Sequence, residues 1–377
     1  MSVHQQLHGQ ILTPDGWLNG TIKFIDTITA LSADSADSAD SSGAESAGPY
    51  ILPGFIDLHV HGAGGKDTME AGDAVSLIAR QHARHGTTSM LATTMTAPLA
   101  DIEAALQAIR PLLLERPAGT ARVLGVHLEG PYINPGKLGA QPDFAGVGSL
   151  EQVLRFDAIA AIKLVTVAPE IPGHLELVRQ LCAIGMVVQI GHTLGTYEDG
   201  VAALASGARG FTHLYNAMSR LDQRAPGMVG AALAHAQYSE IIPDLLHVHP
   251  GAIRAALRAI PQLYCVTDST AATGMPDGPY MLGRQIVHKC LGGVRLADGT
   301  LAGSTLTMDQ ALRNLVAIGL DLADASRRVS TNAADYLGLS QRGRLRVGAF
   351  ADMVVLDSQL KLIAVYVEGE KIELANT

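Results

Sequence analysis

The feature that most constrains this 377-residue chain is a repeating text of eight short apolar runs, each ending in a polar residue. In order they are FIDLHVHG (55–62), SMLATT (89–94), VLGVHLEG (123–130), KLVTVAPE (163–170), VVQIGHT (187–193), GFTHLYN (210–216), SEIIPDLLH (239–247) and LYCVTD (263–268). Between them lie segments with helical apolar spacing, among them 74–86, 174–185, 251–260 and 308–319. Three of these four end in glycine, as a left-handed C-terminal cap requires. Buried strands alternating with helices form parallel sheets, and eight of them predict an α/β fold of the (β/α)8 TIM-barrel type. An open doubly wound sheet competes with that reading. It lacks support, because GAGG at 62–65 does not have the GxGxxG spacing of a phosphate fingerprint.

Both ends of the chain read differently from the middle. Short strand-like pieces (QILT, GTIKFI, TITAL) open it, and GRLRV, DMVVLD and LIAVYVEGEKI close it. The expected organisation is a small β-sandwich domain from residues 1–52 and 340–377, bracketing a barrel over 53–339. An Ala-Asp-Ser repeat over 32–48 has nothing to bury and reads as a solvated loop. A formal charge of −9 argues against a nucleic-acid or anionic-membrane partner. The N-terminal residues lack a charged segment followed by an apolar one, and no apolar run approaches the length of a membrane span. Three scattered cysteines, with no CxxC, suit a reducing compartment, so the expected location is cytoplasmic.

The polar endings carry the chemistry. In a barrel, residues at the strand C-termini converge, and here they include His59, His61, Thr93, Glu129, Glu170, His192, His213, His247 and Asp268. Any one of them is an ordinary strand-to-loop residue. Histidine and carboxylate recurring at most of the endings is a metal-ligand pattern. His59-Val60-His61 is its strongest local piece, since alternate strand residues face the same side and can address one ion. Neutral imidazole with carboxylate suits zinc, iron or another first-row divalent metal.

PGFIDLHVHG, HLEGPYINP, GHT, THLYNAM and VTDSTAATG, in that order, resemble the amidohydrolase superfamily. More closely, the chain resembles the N-acetylglucosamine-6-phosphate and N-acetylgalactosamine-6-phosphate deacetylases over nearly its whole length. That resemblance implies a metal-dependent barrel with a small terminal β-domain, commonly a homodimer, acting on a sugar phosphate. Glu129, His192 and His213 match the family's main metal ligands. His59 and His61 match those of a second metal, so one or two ions per subunit are expected, zinc first, with iron, cobalt or manganese as alternatives. Asp268 matches the catalytic aspartate, which takes a proton from the attacking water and returns it to the departing amine. Ala140, Gln141, Asn216, Ala217, Arg224, His247 and the Leu301-Ala302-Gly303 loop match substrate-binding positions, with Arg224 often serving the neighbouring subunit. His127 is expected to support the ligands, and Lys163, at a strand start, to be structural.

Two departures bear on substrate identity. Gln141 stands where many family members have histidine, at a position expected to touch the acetyl group or the sugar. Leu245, in Pro243-Asp244-Leu245-Leu246, stands where the family usually has glycine, and a bulky side chain there is expected to reshape the pocket. HVHP and GMPDGPYML lean towards the galactosamine-type members. The alternative is a related amidohydrolase acting on another N-acyl or cyclic amide. A non-catalytic barrel is a third reading, but such a protein would have shed ligands that this chain keeps.

Overall fold

A computed structural model describes residues 4–34 and 48–374. All eight apolar runs form strands: Phe55–Val60, Thr87–Thr93, Arg122–Glu129, Ile162–Val167, Val187–Ile190, Gly210–Phe211, Tyr238–Ile241 and Gln262–Cys265. The first six hydrogen-bond side by side in chain order, and the last two pair with each other, all of them parallel. Backbone bonds close the ring. Leu214 N–H donates to the Glu240 carbonyl at 2.9 Å across one seam. Asp268 N–H donates to the His59 carbonyl at 2.9 Å across the other. A helix follows every strand, at Ala74–Ala83, Leu99–Leu114, Leu150–Ile159, His174–Ala183, Tyr197–Ala205, Gly227–His235, Pro250–Ala259 and Met308–Ala317. The architecture is a (β/α)8 barrel. Gly86, Gly185 and Gly319, beyond three of those helices, have φ of 89°, 87° and 105°, the left-handed backbone expected of a C-terminal cap.

The two ends of the chain build a second, seven-stranded mixed sheet. Gln5–Thr13 is its hub, pairing antiparallel with Gly16–Phe24 and parallel with Tyr50–Pro53, which in turn pairs with Met353–Leu356. Side-chain alternation divides the labour between its faces. Ile11, Ile51, Met353 and Val355 pack in a core of the terminal domain itself, while Leu12, Leu52, Val354 and Leu356 join the barrel core. The parallel pairing of the hub with Tyr50–Pro53 makes the terminal domain one continuous sheet around its own core.

Two local expectations are corrected, and one element was not expected. Ser32 and Ala33, expected in the solvated loop, finish the strand Ile28–Ala33 because Thr21 and Gly20 offer them a ladder; residues 35–47 of that stretch lie outside the described residues. GRLRV forms no strand. Arg342 and Arg344 turn there into ion pairs with Asp352, Glu368 and Asp335, and Gly343 and Gly348 take left-handed backbone. Finally, an antiparallel sheet of Gly278–Leu282, Gln285–Cys290 and Gly293–Arg295 is inserted before the eighth helix. With Met95, Ala272 and Ala302 it encloses a small core beside the mouth of the barrel.

Candidate metal centre and substrate cavity

Strand ends deliver the candidate ligands to one point. Glu129 ends the third strand, His59 lies within the first, His61 follows it directly, and His192, His213 and Asp268 come two or three residues beyond strand ends. His192, His213 and Asp268 hold φ of 48°, 28° and 49°, conformations that L residues adopt only where surrounding structure imposes them. The bonds closing the barrel do so, together with neighbouring carbonyls: Thr193 N–H to Ala217 O at 3.0 Å, and Asn134 N–H to His192 O at 2.9 Å.

The side chains form two groups that share Glu129. In one, Glu129 Oε1 lies 3.2 Å from both His192 Nε2 and His213 Nε2, which are 3.0 Å apart. In the other, Glu129 Oε2 lies 3.3 Å from His59 Nε2 and 3.0 Å from His61 Nε2, again with the nitrogens 3.0 Å apart. Asp268 Oδ1 joins the second group, at 3.5 Å and 3.4 Å from those nitrogens. Atoms spaced in this way can share a cation with bonds of about 2.0–2.2 Å. The ring nitrogens facing away are in part already committed. His59 Nδ1 is 2.7 Å from Glu240 Oε1 and His192 Nδ1 is 2.8 Å from the Lys137 carbonyl, while the buried Nδ1 atoms of His61 and His213 have no hydrogen-bond partner among the described residues.

Electrostatics call for positive charge here. Burial alone would lower the His61 imidazole, but Asp268 and Glu129 outweigh it and push it up to about 9. His59 is likewise raised against its burial by Glu129, Glu240 and Asp268. Burial would raise Glu129 and Asp268, yet the surrounding histidines hold both below the ordinary carboxylate range. His127 goes the other way: buried and beside His59, it is held low and neutral, with Nε2 2.8 Å from Thr166 Oγ1 and Nδ1 3.2 Å from Leu58 O. The donor set, its spacing and its charge all fit a divalent cation.

Above the ligands opens a cavity of about 350 Å³. Ala140, Gln141, Asn216, Ala217, His247, Leu301 and Gly303 line it as expected, together with His61, Glu129, His192, His213 and Asp268. His247 is oriented by Asp244, whose Oδ2 is 2.6 Å from Nδ1. Gln141 is seated in the wall, accepting from Thr96 N–H at 2.7 Å and donating to Glu129 Oε2 at 2.6 Å.

Other expected residues stand apart from the cavity. Ala302 turns away into the small core beneath the inserted sheet. Arg224 is exposed on the 221–226 loop and does not reach the cavity of its own chain. Leu245 has φ of 65° and packs against the barrel core without lining the cavity, so the expected reshaping of the pocket by its side chain is not seen. Glu170 clamps the loop after His192, accepting from Asn134 Nδ2, Thr193 Oγ1 and Leu194 N. Lys163 is exposed, away from the ligands. Sequence reading missed two residues here: Glu240, hidden inside an apolar run, and Lys137, the only lysine or arginine lining the cavity among the described residues.

Comparison with known proteins agrees with this geometry. Residues 50–372 match the Amidohydrolase family. The chain belongs to that family. This amidohydrolase is 39% identical over 326 residues to an N-acetylglucosamine-6-phosphate deacetylase of Lysinibacillus sphaericus, covering 84% of each chain. It is 37% identical to an N-acetylgalactosamine-6-phosphate deacetylase of Escherichia coli O157:H7, covering 96% of this chain and 97% of the other. A mutant N-acetyl-D-glucosamine-6-phosphate deacetylase of Mycobacterium smegmatis, solved in complex with N-acetyl-D-glucosamine-6-phosphate, superposes with a TM-score of 0.89 at 34% identity. That match covers 98% of this chain and all (100%) of the other.

Proposed function

We propose that this amidohydrolase hydrolyses the acetamide of an N-acetylhexosamine 6-phosphate, either the gluco or the galacto epimer, to acetate and the amino sugar phosphate. The observation that carries the reading is the placement of Asp268. Its carboxylate stands beside two histidine-rich ligand groups, at the floor of a cavity large enough for one sugar phosphate. The deacetylase names of relatives covering almost the whole chain supply the substrate class.

Glu129, His192 and His213 would hold the principal cation, with His59 and His61 and the second oxygen of Glu129 forming a second position. A divalent cation bound there supplies acidified water and a polarised acyl oxygen. Zinc is the first candidate, from the mixed imidazole and carboxylate donors. Asp268 takes the proton of the attacking water and delivers it to the amide nitrogen, which leaves only once protonated. Asp244 commits the Nδ1 of His247, which leaves Nε2 for a substrate hydroxyl or phosphate. Asn216, Ala217 and Lys137 surround the phosphate end. Arg224, exposed beside Leu221, is available to a second copy of the chain, which suits a homodimer. No helix among the described residues is long and apolar enough to cross a membrane, and the scattered cysteines suit the cytoplasm.

A second reading has its own observation. Asp268 Oδ1 is as close to His59 and His61 as a fellow ligand would be, so Asp268 would then complete the second cation position. The deciding experiment is acetate release from both epimers by the zinc-loaded protein. Turnover of at least one supports the deacetylase reading; no acetate from either overturns it.

A further inference from the structure

Among the buried carboxylates that the reaction described above leaves unused, one touches a ligand ring. Glu240, on the seventh strand, has no exposed surface. Its Oε1 lies 2.7 Å from His59 Nδ1 and accepts the backbone N–H of His213 at 2.8 Å. The Tyr264 hydroxyl lies at the long limit of 3.5 Å from Oε2. One oxygen therefore touches a member of each ligand group: the side chain of His59 and the backbone of His213.

The consequences for the two contacts differ. His213 is held by its backbone alone, and its ring Nδ1 has no partner. On His59 the carboxylate acts directly on the ring. A carboxylate accepts only, so when His59 gives up one proton to bind a cation, the 2.7 Å contact keeps the other on Nδ1 and leaves the lone pair on Nε2. That lone pair faces His61 Nε2 at 3.0 Å and Glu129 Oε2 at 3.3 Å. Among the described residues nothing comparable orders His61, whose Nδ1 has no partner there. In the second group, Glu240 alone sets the tautomer and angle of a histidine.

We infer that Glu240 is the positioning residue that makes the His59–His61 position competent to hold a divalent cation, while the Glu129–His192–His213 position fills without it. This rests on the two-position reading given above. A carboxylate behind a metal-bound histidine commonly contributes about 10–100-fold in affinity. The expected result follows from that figure.

The experiment is zinc titration of the full-length protein, metal-stripped and refilled, with bound metal counted by elemental analysis. The parent is expected to take two equivalents. Glu240→Gln and Glu240→Ala are expected to keep the first and weaken the second about 10–100-fold. In a His59→Ala background the same substitutions should have no further effect on metal content, whereas a merely structural loss would persist there. Two equivalents held by Glu240→Gln at parental affinity would overturn the inference alone. A folded variant that loses both equivalents would also overturn it, by removing the distinction between positions. A parent taking only one equivalent would instead remove the two-position reading and the inference with it. Should neither variant fold, the imidazole ¹⁵N spectrum of the zinc-loaded parent decides: a proton on His59 Nδ1 with Nε2 unprotonated supports the inference, and a proton on Nε2 overturns it.

Discussion

The two ends of the barrel solve the problem of buried charge in opposite ways. At the end facing the terminal sheet, Arg342 reaches both Asp352, at 2.5 Å, and Glu368, and Arg122 adds a second bond to Glu368 at 2.7 Å. Arg116 extends the set to Glu370 at 2.7 Å. Each of these charges meets an opposite one, and the network joins residues 246 positions apart in sequence. At the mouth, Glu129, Glu240 and Asp268 gather with histidines, the Gln141 amide and the Tyr264 hydroxyl; among the described residues two imidazole nitrogens there remain unpartnered, and the backbones of His192, His213 and Asp268 are left-handed. A buried acid cluster without a fixed cation is expensive to hold. Completed networks stabilise, whereas an incomplete one marks the place where an ion and a substrate complete it.

The sharpest test of that contrast is Asp268→Asn. The amide keeps the shape but cannot cycle a proton at neutral pH. Turnover is expected to fall about 10²–10⁴-fold with bound zinc and melting temperature little changed. A variant within about threefold of the parent would end the role of Asp268 in proton transfer. Loss of zinc together with activity would make it a ligand.

Lys137 tests the same mouth from the substrate side. His192 Nδ1 is bonded to its carbonyl, and the lysine lines the same cavity as Asn216 and Ala217. Among the described residues it forms no ion pair. Charge-assisted bonds to phosphate are worth about 1.5–3 kcal/mol. Lys137→Met is therefore expected to raise KM for a phosphorylated substrate about 10–100-fold while leaving the slower turnover of the unphosphorylated N-acetyl sugar unchanged. Equal effects on both substrates would show that the residue shapes the loop instead.

At the opposite end, Glu368→Gln should cost stability and no activity. Burial works to raise this carboxylate, but bonds from Arg122 and Arg342 outweigh it and hold it at about 2 against an ordinary 4.5. A depressed carboxylate contributes its full stabilisation above its unfolded value and loses it as the pH falls towards the folded one. The parent should accordingly weaken between about pH 4.5 and pH 2, and the variant should show a shallower acid limb. A loss of about 1–3 kcal/mol at neutral pH is expected by denaturant titration. An unchanged acid limb would show that other carboxylates dominate it.

How much of this could be read in advance follows from where each signal lies. The barrel was legible because its strands are buried on both faces and read as unbroken apolar runs with polar stops. The helix Gly227–His235 was not: six consecutive residues, Gly227 to Ala232, are buried, so it has no polar face to set a period. The inserted sheet was missed because polarity does not alternate along strand Gln285–Cys290: apolar Ile286 is exposed beside buried Val287, and His288 and Lys289 follow in succession. Of the site, histidines at strand ends announced themselves by type. Glu240 did not, since its meaning depends on a partner 181 residues away. GRLRV looked like a strand by composition, but Arg342 beside it and Arg344 within it serve ion pairs with Asp352, Glu368 and Asp335, a demand invisible to a local pattern.

Leu245 provides the smallest and most discriminating test of the contrast. Its φ of 65° places a leucine where glycine would be at ease, a cost of about 1–2 kcal/mol for an L residue. Leu245→Gly removes that strain. It also removes packing against the barrel core and frees the unfolded chain, worth together about the same amount. The net change in stability is therefore expected to stay within about 1 kcal/mol. The neighbouring turn should survive, because Asp244 Oδ1 accepts the backbone N–H groups of Leu246 and His247 at 2.9 Å and 2.8 Å whichever residue lies between. His247 should then keep its place, and KM and turnover should remain within about threefold of the parent. If stability barely moves but KM shifts more than about tenfold (1.4 kcal/mol), the strained backbone at the mouth is itself part of substrate recognition. If neither moves, strain at Leu245 is separable from the strain at His192, His213 and Asp268, and only the latter belongs to the chemistry.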